Sequence, residues 1–132
     1  AQELVKQGKR VHLLFSPKRD AEVLKELIVS DGVSVHFAEN RNTLATDLKA
    51  LIASMENPCD VYACGPNAFL KAVSDTAAEC GLRAQVSLET RMSCGMGACM
   101  GCVVNIREGA EIVYKTVCHD GPVFYGEEVV FE

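Results

Sequence analysis

Arg91-Met-Ser-Cys94-Gly-Met-Gly-Ala-Cys99-Met-Gly-Cys102-Val-Val104 places three cysteines within nine residues, spaced C-x4-C-x2-C, and Cys118 follows after fifteen more. Gly95, Gly97 and Gly101 lie between them. Glycine adopts backbone angles closed to other residues, so the loop can fold tightly round a small inorganic core and turn its N–H groups toward sulfur. The thiolates of Cys94, Cys99, Cys102 and Cys118 then supply the metal bonds. This order of spacings is that of a plant-type 2Fe–2S site. Four thiolates would also satisfy zinc, whose ligands usually come as two short-spaced pairs. A zinc-stabilised four-cysteine interaction domain with no redox role is therefore the alternative. Seven cysteines could also mean disulfides, but such scaffolds are usually shorter and loop-rich, and this chain carries long amphipathic helical patterns.

Upstream of the loop, strand and helix signals alternate. Residues 1–8 (AQELVKQG) read as the last turns of a helix capped by Gly8. Arg10 to Phe15 is a mostly apolar run stopped by Ser16-Pro17, hence a strand. Asp20 opens a helix to about Ser30, with Val23, Leu24, Leu27 and Ile28 on one stripe. Val33 to Phe37 alternates, as a strand with one wet face does, and Asn42 can cap a helix carrying Leu44, Leu48, Leu51 and Ile52. Val61 to Cys64 is a short apolar strand ended by Gly65-Pro66. A helix from about Asn67 to Cys80 turns Phe69, Leu70, Val73 and Ala77 inward and ends at Gly81, and Ala84 to Leu88 is the last strand of the series.

This alternation predicts an α/β fold with a doubly wound parallel sheet. The continuously apolar strands at Arg10 and Val61 are expected at its centre, and the alternating ones at Val33 and Ala84 nearer its edges. After Leu88 the pattern changes. Val103 to Ile106 and Ile112 to Val117 flank Arg107-Glu-Gly-Ala110, a β-hairpin that would carry Cys118 back to the other three cysteines. The tail ends in one more short extended piece. Residues 1–88 and 89–132 thus read as a nucleotide-domain part and a cysteine-loop module.

Composition narrows the function. A hydrophobic fraction of 48% is enough for a core, while no 18-residue apolar run exists to span a membrane. No basic-then-apolar signal peptide is visible, and cysteines without one point to the reducing cytoplasm. The formal net charge is −5 with scattered basic residues, which argues against nucleic acid.

Cys64-Gly65-Pro66 after a strand resembles the Cys-Gly-Pro of the ferredoxin–NADP reductase superfamily. Ser87 to Cys102, followed by Val117-Cys-His-Asp-Gly-Pro-Val-Phe124, is similar to one branch, the electron-transfer subunits of type B, NAD-dependent dihydroorotate dehydrogenase. The resemblance covers the whole chain and is most specific in the cysteine loop. It implies a ferredoxin reductase-like sheet, a 2Fe–2S cluster on Cys94, Cys99, Cys102 and Cys118, and FAD held mainly by an N-terminal barrel. It implies electron transfer between an FMN-containing dihydroorotate-oxidising subunit and FAD/NAD, in de novo pyrimidine (UMP) biosynthesis. The small subunit of NADH-dependent ferredoxin:NADP oxidoreductases is also similar, with aspartate where this chain has Cys94. Against the family pattern, the barrel, the first strand of the nucleotide domain and its glycine-rich turn are missing, so the chain reads as a C-terminal fragment whose sheet lacks its first strand.

The resemblance places Cys64, Gly65 and Pro66 beside the nicotinamide, although a Cys closing a buried strand is often a small hydrophobe. Ser16, Lys18 and Arg19 fall where an adenosine ribose or its phosphate would lie, but the two cations read equally as a solvated loop and leave NAD versus NADP open. Cys59 and Cys80 read as packing residues, and His12 and His36 as ordinary sheet residues. His119 adjoins a ligand, yet a Rieske site needs two His on one iron, so it is not counted among the ligands. Met92, Met96 and Met100 read as apolar cover for the cluster.

Overall fold

The computed structural model of the protein describes residues 2–15, 32–38, 43–56 and 59–131. The helix expected from Asp20, its neighbours Ser16, Lys18 and Arg19, and the cap at Asn42 lie outside them. Two compact units divide the chain, Ala1–Leu48 and Lys49–Glu132.

In the first unit, α1 (Gln2–Lys6) ends just before Gly8, which sits at φ 74° as a helix-terminating glycine does. Strands β1 (Val11–Phe15) and β2 (Val33–Phe37) pair in parallel, with Val11 opposite Val33 and Phe15 opposite Phe37. The two Phe rings stack across the register. His12 and His36 lie diagonally on the same pair, His12 Nδ1 3.2 Å from His36 Nε2. Helix α2 (Leu44–Ala53) follows.

The second unit carries the cysteines. Strand β3 (Val61–Cys64) runs into α3 (Asn67–Glu79), and β4 (Ala84–Ser87) returns parallel to β3. Pro66 stands at the N-cap of α3, where a fixed φ suits helix entry, and its carbonyl accepts the N–H groups of Phe69 and Leu70. The spacing of Leu70, Val73 and Ala77 puts all three on one face, and all three are buried. At the other end Gly81, at φ 72°, lets the chain leave the helix.

Beyond the cysteine loop, β5 (Val103–Glu108) and β6 (Glu111–Thr116) form the expected antiparallel hairpin around Gly109. The tail then does more than the sequence pattern suggests. Strand β7 (Val123–Tyr125) pairs antiparallel with β4, fixed by Leu88 N–H to Pro122 O and Gly126 N–H to Ala84 O. Farther on, Arg107 N–H bonds Glu128 O, and Val130 N–H bonds Asn105 O. The tail therefore sews the hairpin to the sheet.

Two expectations are corrected by this arrangement. Strand β4 is not at an edge: it lies between β3 and β7, because the tail supplies an antiparallel partner that periodicity does not reveal. Strand β3 is not buried on both faces either. Val61 is buried while Tyr62 and Cys64 are exposed, so only one face meets the core. One core, built from Leu70, Val86, Leu88, Cys102 and Val117, joins residues on both sides of residue 88. Among the described residues no helix is long and apolar enough to cross a membrane.

Candidate metal centre

Parallel pairing sets where the site lies. Cys64 is opposite Ser87, so β3 and β4 release their chains at the same end of the sheet. From β3 that end gives Cys64-Gly65-Pro66, and from β4 it gives the segment leading to Cys94. A Cβ at Gly65 would lie 3.1 Å from the Phe69 ring, which keeps the turn tight against α3. The exposure of Cys64 removes the reading of it as a core hydrophobe.

The four cysteines of the motif are held at two depths. Cys102 is buried in the core and Cys118 packs against it, both at the open end of the hairpin. Cys94 and Cys99 sit on the outer loop, which contains neither helix nor strand between residues 88 and 103. Each of the four sulfurs accepts one backbone N–H. Met96 donates to Cys94 Sγ at 3.5 Å, Gly101 to Cys99 at 3.4 Å, Cys118 to Cys102 at 3.5 Å, and Gly97 to Cys118 at 3.2 Å. Donors aimed at sulfur stabilise thiolate over thiol.

Two of the thiols, Cys94 and Cys102, are made more acidic by such donors. The Met96 N–H, helped by Cys99, brings the Cys94 thiol down to about 6. The Cys118 N–H lowers that of Cys102, while the adjacent Cys102 side chain raises that of Cys118. Side-chain hydrogen bonds link Cys94 with Cys99 and Cys102 with Cys118, giving two thiol pairs. Among the described residues no three metal-ligating side chains converge tightly enough for one ion. Four cysteine sulfurs, each met by a backbone N–H, are a donor set that fits an iron–sulfur core held by thiolates.

Two residues escaped sequence reading. Asp120 Oδ2 accepts the Thr116 N–H at 2.6 Å and the Thr116 hydroxyl at 2.9 Å, which fixes the turn around Cys118. The Thr116 N–H in particular holds the Asp120 carboxyl down to about 2. Thr90 Oγ1 is buried without a hydrogen-bond partner. It lines an open cleft of about 500 Å³ between the end of β4 and the loop, together with Leu88, Met92, Val117 and Pro122. Both lie inside the segments that carry the family resemblance, but no ligand spacing singles either of them out.

Two further expectations fail. Met92, Met96 and Met100 are 59%, 72% and 50% exposed, so they form no buried cover within this chain. Within the loop Cys94 is half-buried and Cys99 is exposed, as are the methionines between and beside them. Cys80 is exposed at the end of α3 and is not a packing residue, whereas Cys59 is half-buried.

Four N–H-supported thiols beside the end of an α/β sheet are a donor set suited to an iron–sulfur cluster. Residues 89–130 match the family model of the iron–sulfur cluster binding domain of dihydroorotate dehydrogenase B. The electron-transfer subunit of dihydroorotate dehydrogenase B (NAD(+)) from Caldanaerobacter subterraneus subsp. tengcongensis is 49% identical over 126 residues, covering 95% of this chain and 51% of that protein. The subunits of the same name from Streptococcus pneumoniae R6 and Shouchella clausii are 37% and 36% identical, over 98% and 96% of this chain and 51% and 49% of theirs. A solved structure of an NADH-dependent reduced ferredoxin-NADP oxidoreductase, described for flavin-based electron bifurcation, has a chain that superimposes with a TM-score of 0.74. It is 26% identical and covers 98% of this chain and 48% of that one. The chain is similar over nearly its whole length to dihydroorotate dehydrogenase B electron-transfer subunits, and it spans about half the length of the relatives it matches.

Proposed function

We propose that this chain holds a 2Fe–2S cluster on Cys94, Cys99, Cys102 and Cys118 and serves electron transfer between a dihydroorotate-oxidising FMN subunit and FAD/NAD, in pyrimidine biosynthesis. The observation that carries the reading is the set of four N–H to sulfur bonds, one on each cysteine of the motif. A cluster of this kind supplies one-electron exchange, which nicotinamide lacks and a flavin bridges. The chain's own residues bind and orient. Cys102 and Cys118 anchor the site to the core, while the outer loop brings Cys94 and Cys99 over it. Division at residue 88 is then one of function: residues 89–132 form the cluster module and residues 1–88 the nucleotide-domain part, whose sheet lacks its first strand. Cys64, Gly65 and Pro66 border the nicotinamide position, which the shared exit end of β3 and β4 supports. The work is done in the cytoplasm.

The solved relative favours a second reading, membership of an NADH-dependent ferredoxin:NADP oxidoreductase-type complex. Cys94 at the first ligand position and the higher identity to the dihydroorotate relatives weigh against it. Iron and acid-labile sulfide assays on anaerobically reconstituted protein, with electron paramagnetic resonance after reduction, test the cluster. Two irons and two sulfides per chain are expected. Stoichiometric zinc with no resonance would establish the zinc domain instead. Pull-down against a dihydroorotate-oxidising subunit and against a ferredoxin:NADP oxidoreductase large subunit separates the two complexes.

A further inference from the structure

After Cys118 the chain makes a tight turn closed by its own side chains. Asp120 Oδ2 takes both donors of Thr116, and the Thr116 carbonyl accepts the N–H groups of His119 and Asp120. Thr116 is buried, so the turn is anchored to the body of the unit. From this anchor His119 reaches across the cysteine loop. Its Nδ1 lies 3.2 Å from Asp120 Oδ1, and its flank covers Gly97 so closely that a Cβ there would come within 3.0 Å of His119 Cβ and 3.2 Å of Cγ. Gly97, in turn, is the residue whose N–H meets Cys118 Sγ.

We propose that His119 and Asp120 are positioning residues for the cluster, holding Gly97 so that its N–H stays on the Cys118 sulfur and so raising the reduction potential. The inference rests on the cysteine assignment above. Hydrogen bonds to ligand sulfurs are among the main controls of cluster potential, because they offset negative charge that grows on reduction. An exposed imidazole would ordinarily sample several rotamers. The Asp120 carboxylate, itself fixed by Thr116, selects the one that lies over Gly97. The role is one of packing and orientation, and His119 stays outside the ligand set.

The test uses the reconstituted 132-residue chain, with redox titration against a dye of known potential and deuterium exchange at the Gly97 amide. His119→Ala should keep the cluster, shift the redox equilibrium severalfold toward the oxidised form, and speed exchange at Gly97. A tenfold shift corresponds to about 59 mV for a one-electron couple. His119→Asn keeps Cβ and Cγ over Gly97 and an N–H for Asp120, and should return both readouts toward wild type. Asp120→Asn keeps an oxygen for Thr116 but loses a carboxylate oxygen, so it should move both readouts in the same direction. It decides the matter if His119→Ala loses the cluster outright. Unchanged potential and exchange in Asp120→Asn and in any His119→Ala that retains its cluster would overturn the inference. Wild-type protein without two irons would overturn the cysteine assignment and this inference with it.

Discussion

Gly97 donates its backbone N–H to Cys118 Sγ across twenty-one residues of sequence, at 3.2 Å. That bond ties the exposed loop to the hairpin end and brings the outer pair of thiols toward the pair rooted in the core. Glycine is required there for two separable reasons, a φ of 81° and the close approach of His119.

Those reasons can be measured apart. Gly95 also has a positive φ, 71°, but a Cβ there would meet nothing within 4 Å. Gly95→Ala should cost only the left-handed conformation, about 1–2 kcal/mol. Gly97→Ala should cost more, because it adds a clash with His119, and it should lower cluster occupancy. Thermal melting and iron content of both variants check this; equal losses would mean that His119 yields freely.

Ligand identity predicts a sharp division among the cysteines. Changing Cys94, Cys99, Cys102 or Cys118 to Ser should abolish or destabilise the cluster, since each removes a thiolate bond to iron. Cys80→Ser and Cys59→Ser should leave visible absorbance and iron content near wild type. Full absorbance in Cys118→Ser together with loss in Cys80→Ser would sink the assignment.

The core makes a different prediction. Leu70 is fully buried on α3 and packs in the cluster that contains Cys102. Leu70→Ala should cost about 2–5 kcal/mol, as large-to-small core changes do. The loss should appear in denaturant melts of the metal-free chain as well. A loss confined to the metal-loaded form would place Leu70 outside the shared core.

Much of this architecture is legible in the residues. The stripe of Leu70, Val73 and Ala77 marks α3, Gly81 marks its end, and Gly109 marks the hairpin turn, because each is a local steric requirement. The cysteine spacing points to the loop for the same reason. The place of β7 was not legible: Val123, Phe124 and Tyr125 have no diagnostic period, and their pairing with β4 is non-local. The outward Met92, Met96 and Met100 misled because hydrophobicity alone does not say which way a loop faces. Met100 even adopts a φ of 55°, a region uncommon for residues other than glycine.

Attachment of the tail depends on charge as well as pairing. Arg83 bonds Glu127 and Glu128 and lies over the Tyr125 ring, 3.6 Å from its centre. Arg83→Ala should loosen β7, seen as faster exchange of the Gly126 amide that bonds Ala84 O. The contacts are exposed, so the difference from wild type should narrow at high salt. A difference that does not respond to salt would assign the effect to packing on Tyr125.

Removing the metal should unfold one part of this unit and spare the rest. Between residues 88 and 103 the loop has no helix or strand, and most of its side chains are exposed. What orders it is the bonding at sulfur. Cys102 and Val117, by contrast, are 3% exposed in a core with Leu70 and Val86, which needs no metal to bury its apolar surface. Metal binding and loop folding are therefore coupled, whereas metal binding and sheet folding are not. Chelation should make the amides of residues 92–101 exchange rapidly while those of α3 and β4 stay protected, with little loss of far-ultraviolet circular dichroism. Hydrogen-exchange mass spectrometry of loaded and stripped protein reads this directly. Protection lost from α3 along with the loop would mean that the thiol bonds hold the whole unit together. A loop still protected without metal would mean that the N–H to sulfur bonds suffice to order it.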